Sequence, residues 1–259
     1  MISVHHFPLL CLASIILLII SCTENEDDRP VRLRSITYGQ PLGLGTYEAL
    51  YDGELLTQLK SDHRGESINF GYREDGTLLR KEVFRGESTQ PQFRVDYEVN
   101  TVGDIRQKTS SRLIDGELQE VSVDTYDYIG RRVSEVIFTN PDRTTVRLRM
   151  NILWDDQNPI VIQWFGQGTQ TDFTLDIEYD ISRTNKLHRE ISYLNEYYPA
   201  EILYLFWQSI APYSPVSSVQ RFDDGSEVSD TYLQQLREDG LPSAIYRNDE
   251  LWMSYEYDE

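Results

Sequence analysis

The chain has 259 residues and a formal net charge of −19, with 43 acidic against 24 basic side chains and 2 cysteines. That balance excludes nucleic acid as a partner, because Lys and Arg on phosphates supply such affinity, and it excludes electrostatic attachment to anionic lipid. It favours solubility and leaves cationic ligands open, while the 17 tyrosines and frequent Val and Thr point to a β protein.

In chain order, the first element is an apolar run, Leu9 to Ile20, broken by Ser14. It is shorter than the roughly 20 residues of a spanning helix and suits the apolar region of a signal peptide. It ends in Ile19-Ile20-Ser21-Cys22, which resembles a bacterial lipobox. The resemblance implies a signal peptide over 1–21, cleavage before Cys22, and acylation of the Cys22 thiol and amine. The leading "MISVHHF" departs from the pattern in having no Lys or Arg. The next residues, "TENEDDRP", form an acidic run that resembles the surface-export signal of lipoproteins from Bacteroidota-type bacteria. A polar stretch with no apolar period makes a solvated tether over 22–33. With Cys22 the one cysteine of the mature chain, an intrachain disulfide and a cysteine-based zinc site are both excluded.

From residue 34 to 259 the chain reads as a single β-repeat domain. Turn residues fall at Gly76, Gly103, Gly130, Asn158, Asn185 and Gly240, in steps of 27, 27, 28, 27 and 55, the last being two steps together. A weaker copy, Tyr51-Asp52-Gly53, lies upstream. An aromatic precedes each turn, as in Tyr72, Tyr97, Tyr126, Trp154 and Tyr179. A second series of turns lies between, at Gly86, Asp115-Gly116, Asn140-Pro141-Asp142, Gly166 to Gly168 and Asp224-Gly225. Each unit of about 27 residues is therefore two strands and two turns. Gly and Asn hold the turns because hairpins call for positive φ there.

The strands alternate as a one-sided sheet does. "TVRLRMNILW" puts Val146, Leu148, Met150 and Ile152 on one face and Arg147, Arg149 and Asn151 on the other. "FTLDIEYD" sets Phe173, Leu175, Ile177 and Tyr179 together. Short turns between consecutive strands make an antiparallel meander, and a dozen or more strands must curl, close or split. The fold class is thus all-β: a large curved or partly closed sheet of repeated hairpins. The exception is Tyr197 to Pro212, an apolar stretch without a glycine turn. Pro199 and Glu201 suit a helix start, and Ile202, Leu203, Phe206 and Ile210 follow helical spacing. It predicts one helix over 199–211 covering the apolar face or a mouth of the sheet, with a buried strand pair as the alternative.

Tyr126-Asp127-Tyr128-Ile129-Gly130-Arg131 resembles the YD repeat of the RHS/YD class. The lipobox, the Tyr/Asp-Gly hairpins and the Pro-flanked apolar insertion together resemble the DUF4595-type lipoproteins of Bacteroidota, over most of residues 34–259. The resemblance implies a curved antiparallel sheet on a lipid anchor and supplies no catalytic residue.

The chemistry-bearing residues point the same way. The mature chain holds His63 and His188 and no G-x-S-x-G elbow. Asp155-Asp156 and Asp223-Asp224 sit in turns, where Asp bonds its own backbone. "DDGSE" lacks the ligand spacing of a calcium loop, and no phosphate-binding or dinucleotide fingerprint occurs. No catalytic residue, metal or cofactor is expected. The best lead to a ligand is aromatic: Trp154, Trp164, Trp207, Trp252, Tyr197 and Tyr198, which either stack on sugars and protein partners or fill the core. The reading is a lipid-anchored outer-membrane or cell-surface module, facing outward with the periplasmic face as the alternative, that binds or scaffolds glycan or protein. The alternatives are a carbohydrate-active enzyme with paired carboxylates and a carrier holding apolar cargo in the hollow of the sheet.

Overall fold

The computed structural model describes residues 31–39, 45–101, 103–130, 132–166, 171–184 and 213–258. Residues 33–257 form one unit, and residues 1–32 with 258–259 fall outside it. Sixteen strands are present among the described residues. They run as hairpins: β1 (Leu33–Tyr38) with β2 (Gly45–Asp52), β3 (Leu55–Ser61) with β4 (Glu66–Tyr72), and β5 (Leu78–Arg85) with β6 (Phe93–Val99). Then come β7 (Ile105–Ile114) with β8 (Glu117–Ile129), β9 (Arg132–Thr139) with β10 (Val146–Trp154), and β11 (Pro159–Phe165) with β12 (Thr171–Thr184). The last are β13 (Tyr213–Phe222) with β14 (Glu227–Leu236) and β15 (Pro242–Arg247) with β16 (Glu250–Tyr257).

Every strand pairs antiparallel with its sequence neighbours, and β1 pairs with β16, so the meander is a closed barrel. This corrects the expectation of a curved or partly closed sheet. Closure leaves no row of unpaired amides and carbonyls at an edge, which is the hazard an open sheet of this size carries. The helix expected over 199–211 lies outside the described residues, and among those described there is no helix.

The repeat takes a definite physical form at one end of the barrel, here the base, where even-numbered strands hand over to odd-numbered ones. Gly53, Gly76, Gly103, Gly130 and Gly240 sit in base turns with φ between 57° and 88°. The turn is the same device several times over. In Arg73–Thr77 and in Arg237–Leu241, which share the sequence Arg-Glu-Asp-Gly, the first amide donates to the fifth carbonyl and the glycine amide to the first carbonyl. The Asp75 and Asp239 carboxylates accept from the amides two residues on. A register shift falls just inside the turn, at 50/51, 71/72, 98/99, 127/128, 153/154 and 235/236. Such a bulge re-aims the side chain that follows it.

What it re-aims, in β4, β8 and β10, is an aromatic latch. Tyr72 donates to the Leu56 carbonyl at 2.7 Å, Tyr128 to that of Ile105 at 2.7 Å, and the Trp154 indole to that of Val133 at 2.7 Å. Tyr179 and Tyr257 do the same to the Pro159 and Pro242 carbonyls, each at 2.8 Å. Each ring ties the open end of its own hairpin. In β8 the latch is Tyr128, two residues beyond the repeat tyrosine expected from the sequence.

Asn158 departs from expectation: it stands where other units carry a positive-φ glycine but is not in the left-handed region. Pro159 follows it, and a residue before proline is held extended. The turn closes instead through Asp155, whose amide donates to the Asn158 carbonyl at 3.0 Å and whose carboxylate accepts from Gln157 and Asn158.

The alternation of β10 and β12 is as expected: Met150, Ile152, Leu175 and Ile177 are buried, and Arg147, Arg149 and Glu178 are exposed. Much of the apolar layer is sealed, while Tyr126, Phe138, Leu148 and Phe173 pack against it only half-buried. Ile36, Tyr47, Leu59, Ile68, Val83, Ile162, Ile245 and Met253 are at 0% exposure. A round sixteen-stranded wall leaves an aqueous bore; zero exposure at these positions means that the interior is filled here. Polar groups enter it as well, the fully buried Lys81 and Ser61 among them. Glu66, on β4, accepts from Tyr47 at 2.7 Å and from Arg85 at 3.1 Å. Asp230, on β14, accepts from Arg247 at 2.7 Å and Asn248 at 2.8 Å.

Candidate functional site: the outer wall and the two ends of the barrel

Because alternate residues face inward, the side chains left for any ligand or solvent are the outer set and the turns. The outer set is polar around most of the circumference, and it is built from cross-strand pairs. Thr37 meets Thr46 at 2.9 Å, Gln58 donates to Asn69 at 2.7 Å, and Ser217 to Glu178 at 2.9 Å. Arg80 and Arg94 clamp Asp96 at 2.8 and 2.7 Å. Burial pushes the Asp96 carboxyl upward, but the hydrogen bonds from Arg94 and Arg80 outweigh it and hold the group below the ordinary carboxylate range. Arg149 pairs with Glu135 at 3.2 Å, and Arg221 with both Asp176 and Glu227.

This chemistry is the reverse of a membrane-spanning barrel, which is apolar outside over about 25 Å and polar within. A charged side chain at the bilayer midplane costs about 2–4 kcal/mol, and the wall carries several. Strand length agrees over part of the wall: a spanning strand needs roughly 9–11 residues, whereas β1 and β15 have 6 and β3, β4, β6 and β11 have 7, while β8 and β12 run to 13 and 14.

The aromatic candidates are not gathered into one platform. Trp164, on β11, is 3% exposed and stacks on Phe173 with centroids 4.3 Å apart. Trp252, on β16, is 2% exposed and lies against Tyr232 and the Arg247 guanidinium. Trp154 is half-buried at the base, latched through its nitrogen and covered by Arg132 at 5.8 Å. None of these three offers an open ring face. Trp207, Tyr197, Tyr198 and Cys22 lie outside the described residues.

At the opposite end, here the rim, a cavity of about 400 Å³ is lined by Gly45, Thr46, Glu48, Lys60, Asp62 and His63. β2 and β3 bring Glu48 and Lys60 into register, and the β3–β4 turn adds Asp62 and His63. Sequence reasoning passed over this group because its residues are ordinary turn and outer-face types. The Lys60 ammonium bonds Asp62 at 2.9 Å, and that bond, with the nearby Glu48 charge, raises its affinity for its proton. A Cβ on Gly45, at φ +73°, would lie 3.2 Å from the His63 ring, so the glycine lets the imidazole close on the backbone. The two carboxylates here share a lysine, an arrangement suited to a polar contact. Among the described residues no group of three or more His, Cys, Asp and Glu could hold a metal ion.

No family model matches the chain, and no curated protein matches it. Solved structures do. A porin-like protein from Bacteroides vulgatus shares 12% identity at a TM-score of 0.54, over 87% of this chain and 98% of that one. A porin-like protein from Bacteroides uniformis shares 13% identity at a TM-score of 0.48, over 88% and 98%. The first likeness places the chain in a shared closed-barrel fold, at an identity that speaks to fold alone.

Proposed function

We propose that the chain is a lipid-anchored module of the outer membrane that binds or displays a surface partner, glycan or protein, and performs no chemistry of its own. Its barrel stands in water and does not cross the bilayer. The observation that carries this reading is the polar, ion-paired outer wall around a sealed apolar interior. With such a wall the membrane connection falls to Cys22 and its acyl chains, as the lipobox suggests. The porin-like neighbours support an outer-membrane setting by analogy of fold.

A carrier role calls for a hollow open to apolar cargo. The zero-exposure residues fill the interior at their levels, which favours binding on the wall or the ends. The buried Trp164 and Trp252 likewise move a sugar-stacking role onto other rings.

The test is cell fractionation of wild type against Cys22→Ser. The wild type is expected in the outer membrane, with the mass of an acylated N-terminal Cys22, and the variant in the soluble fraction. A variant that still needs detergent for extraction contradicts the reading, because the strands themselves would then hold the membrane.

A further inference from the structure

We propose that the base of the barrel rests on the bilayer surface through a belt of exposed apolar side chains, a proposal that builds on the lipid-anchored reading above. Exposed large apolar residues are more numerous toward the base than toward the rim, where Ile114, Leu118, Val228 and Leu251 are 36–47% exposed. The two most exposed, Ile129 at 77% and Ile181 at 75%, are both at base ends of strands, β8 and β12. Leu153 on β10, Leu233 and Leu236 on β14, and Leu50 on β2 add to them, at 40–52%. All six lie toward the base, on strands running from β8 to β14 and again on β2.

The start of the barrel is what names the occupant. β1 begins at the base, with Leu33 opposite Tyr257 at the end of β16, and the chain from Cys22 to Arg32 is joined there. Eleven residues reach at most about 40 Å when fully extended, so an acylated Cys22 holds this end near the lipid. To present the rim instead, the tether would have to run back along the wall. Apolar side chains held this close to a bilayer insert about 5–10 Å into the headgroup boundary. The base turns carry acidic pairs, Asp155-Asp156 and Glu238-Asp239, so the surface that fits is zwitterionic rather than anionic.

The experiment uses the acylated protein, whose Cys22 thiol is blocked, leaving a single introduced cysteine free to take a bimane fluorophore. Three variants serve: Ile129→Cys and Ile181→Cys at the base, and Val228→Cys at the rim, where Val228 is 47% exposed. Each is bound to phosphatidylcholine vesicles containing brominated acyl chains. The base probes are expected to lose about half their emission, as insertion at the headgroup boundary implies, and the rim probe none. Adding phosphatidylglycerol should weaken base quenching, and salt should restore it. Protein that floats with the vesicles while base and rim probes stay equally bright overturns the docking and leaves the anchor intact. Protein that does not float and lacks acyl mass at Cys22 overturns both.

Discussion

The inner and outer faces of the same strands carry opposite chemistry, and their contrast says what surrounds the barrel. On β4, Ile68 faces in at 0% exposure and its neighbour Asn69 faces out to Gln58. On β6, Val95 is sealed at 1% while Arg94 and Asp96 pair outside it. Among the described residues, the wall spends most of its apolar residues inward, and the large ones it exposes are fewer than the polar side chains beside them. The same alternation in a membrane pore runs the other way.

The sharpest way to break this contrast is to change one face at a time. Ile68→Ala removes a fully buried side chain and is expected to cost about 2–5 kcal/mol in urea unfolding. Arg94→Ala, on the outer face, is expected to cost no more than about 1 kcal/mol. Equal costs would mean that the outer wall is packed against something as firmly as the inner.

The base turns come next. Gly130 sits at φ +67° with nothing within 4 Å of a Cβ placed on it, so Gly130→Ala isolates the backbone term. It should destabilise by about 1–2 kcal/mol, the cost of a left-handed non-glycine residue. Asn158→Gly, at a turn shaped by Pro159, should yield no gain from relieved strain.

The latch is the smallest effect but has a distinctive signature. Tyr128→Phe loses the bond to the Ile105 carbonyl, about 1 kcal/mol. Burial, with the Asp104 charge adding to it, pushes the Tyr128 hydroxyl up to about 12 from an ordinary 10.0. A raised folded value means that its contribution is complete below pH 10 and is lost as pH climbs toward 12. Thermal midpoints across that window should fall more steeply in wild type than in Tyr128→Phe. Parallel curves would show that the hydroxyl is solvated alike in both states.

Much of this architecture was legible in the sequence. The 27-residue spacing located the base turns at Gly76, Gly103, Gly130 and Gly240, because only a few residue types tolerate positive φ. Period-two alternation assigned the faces of β10 and β12. Closure was not legible, since it depends on β1 meeting β16 across some two hundred residues and on shear that accumulates through bulges. The bulge also hid the latch. A one-residue offset at 127/128 makes Tyr128, not Tyr126, the ring that reaches across its hairpin. The aromatic residues gave the least away, because Trp164 and Trp252 look alike as core or as platform until the facing strands are known. The rim cavity left no signal at all: Glu48, Lys60, Asp62 and His63 come from two strands and a turn with no shared motif.

Peroxide oxidation of Met150 and Met253, the two methionines of the mature chain, tests the sealed interior most directly. Both point inward, at 4% and 0% exposure. In the folded, membrane-anchored protein both should form sulfoxide far more slowly than in urea, with the rate following global unfolding. Oxidation of either at the rate of a free methionine would reveal a water-filled bore, and the barrel would then have to be read as a pore.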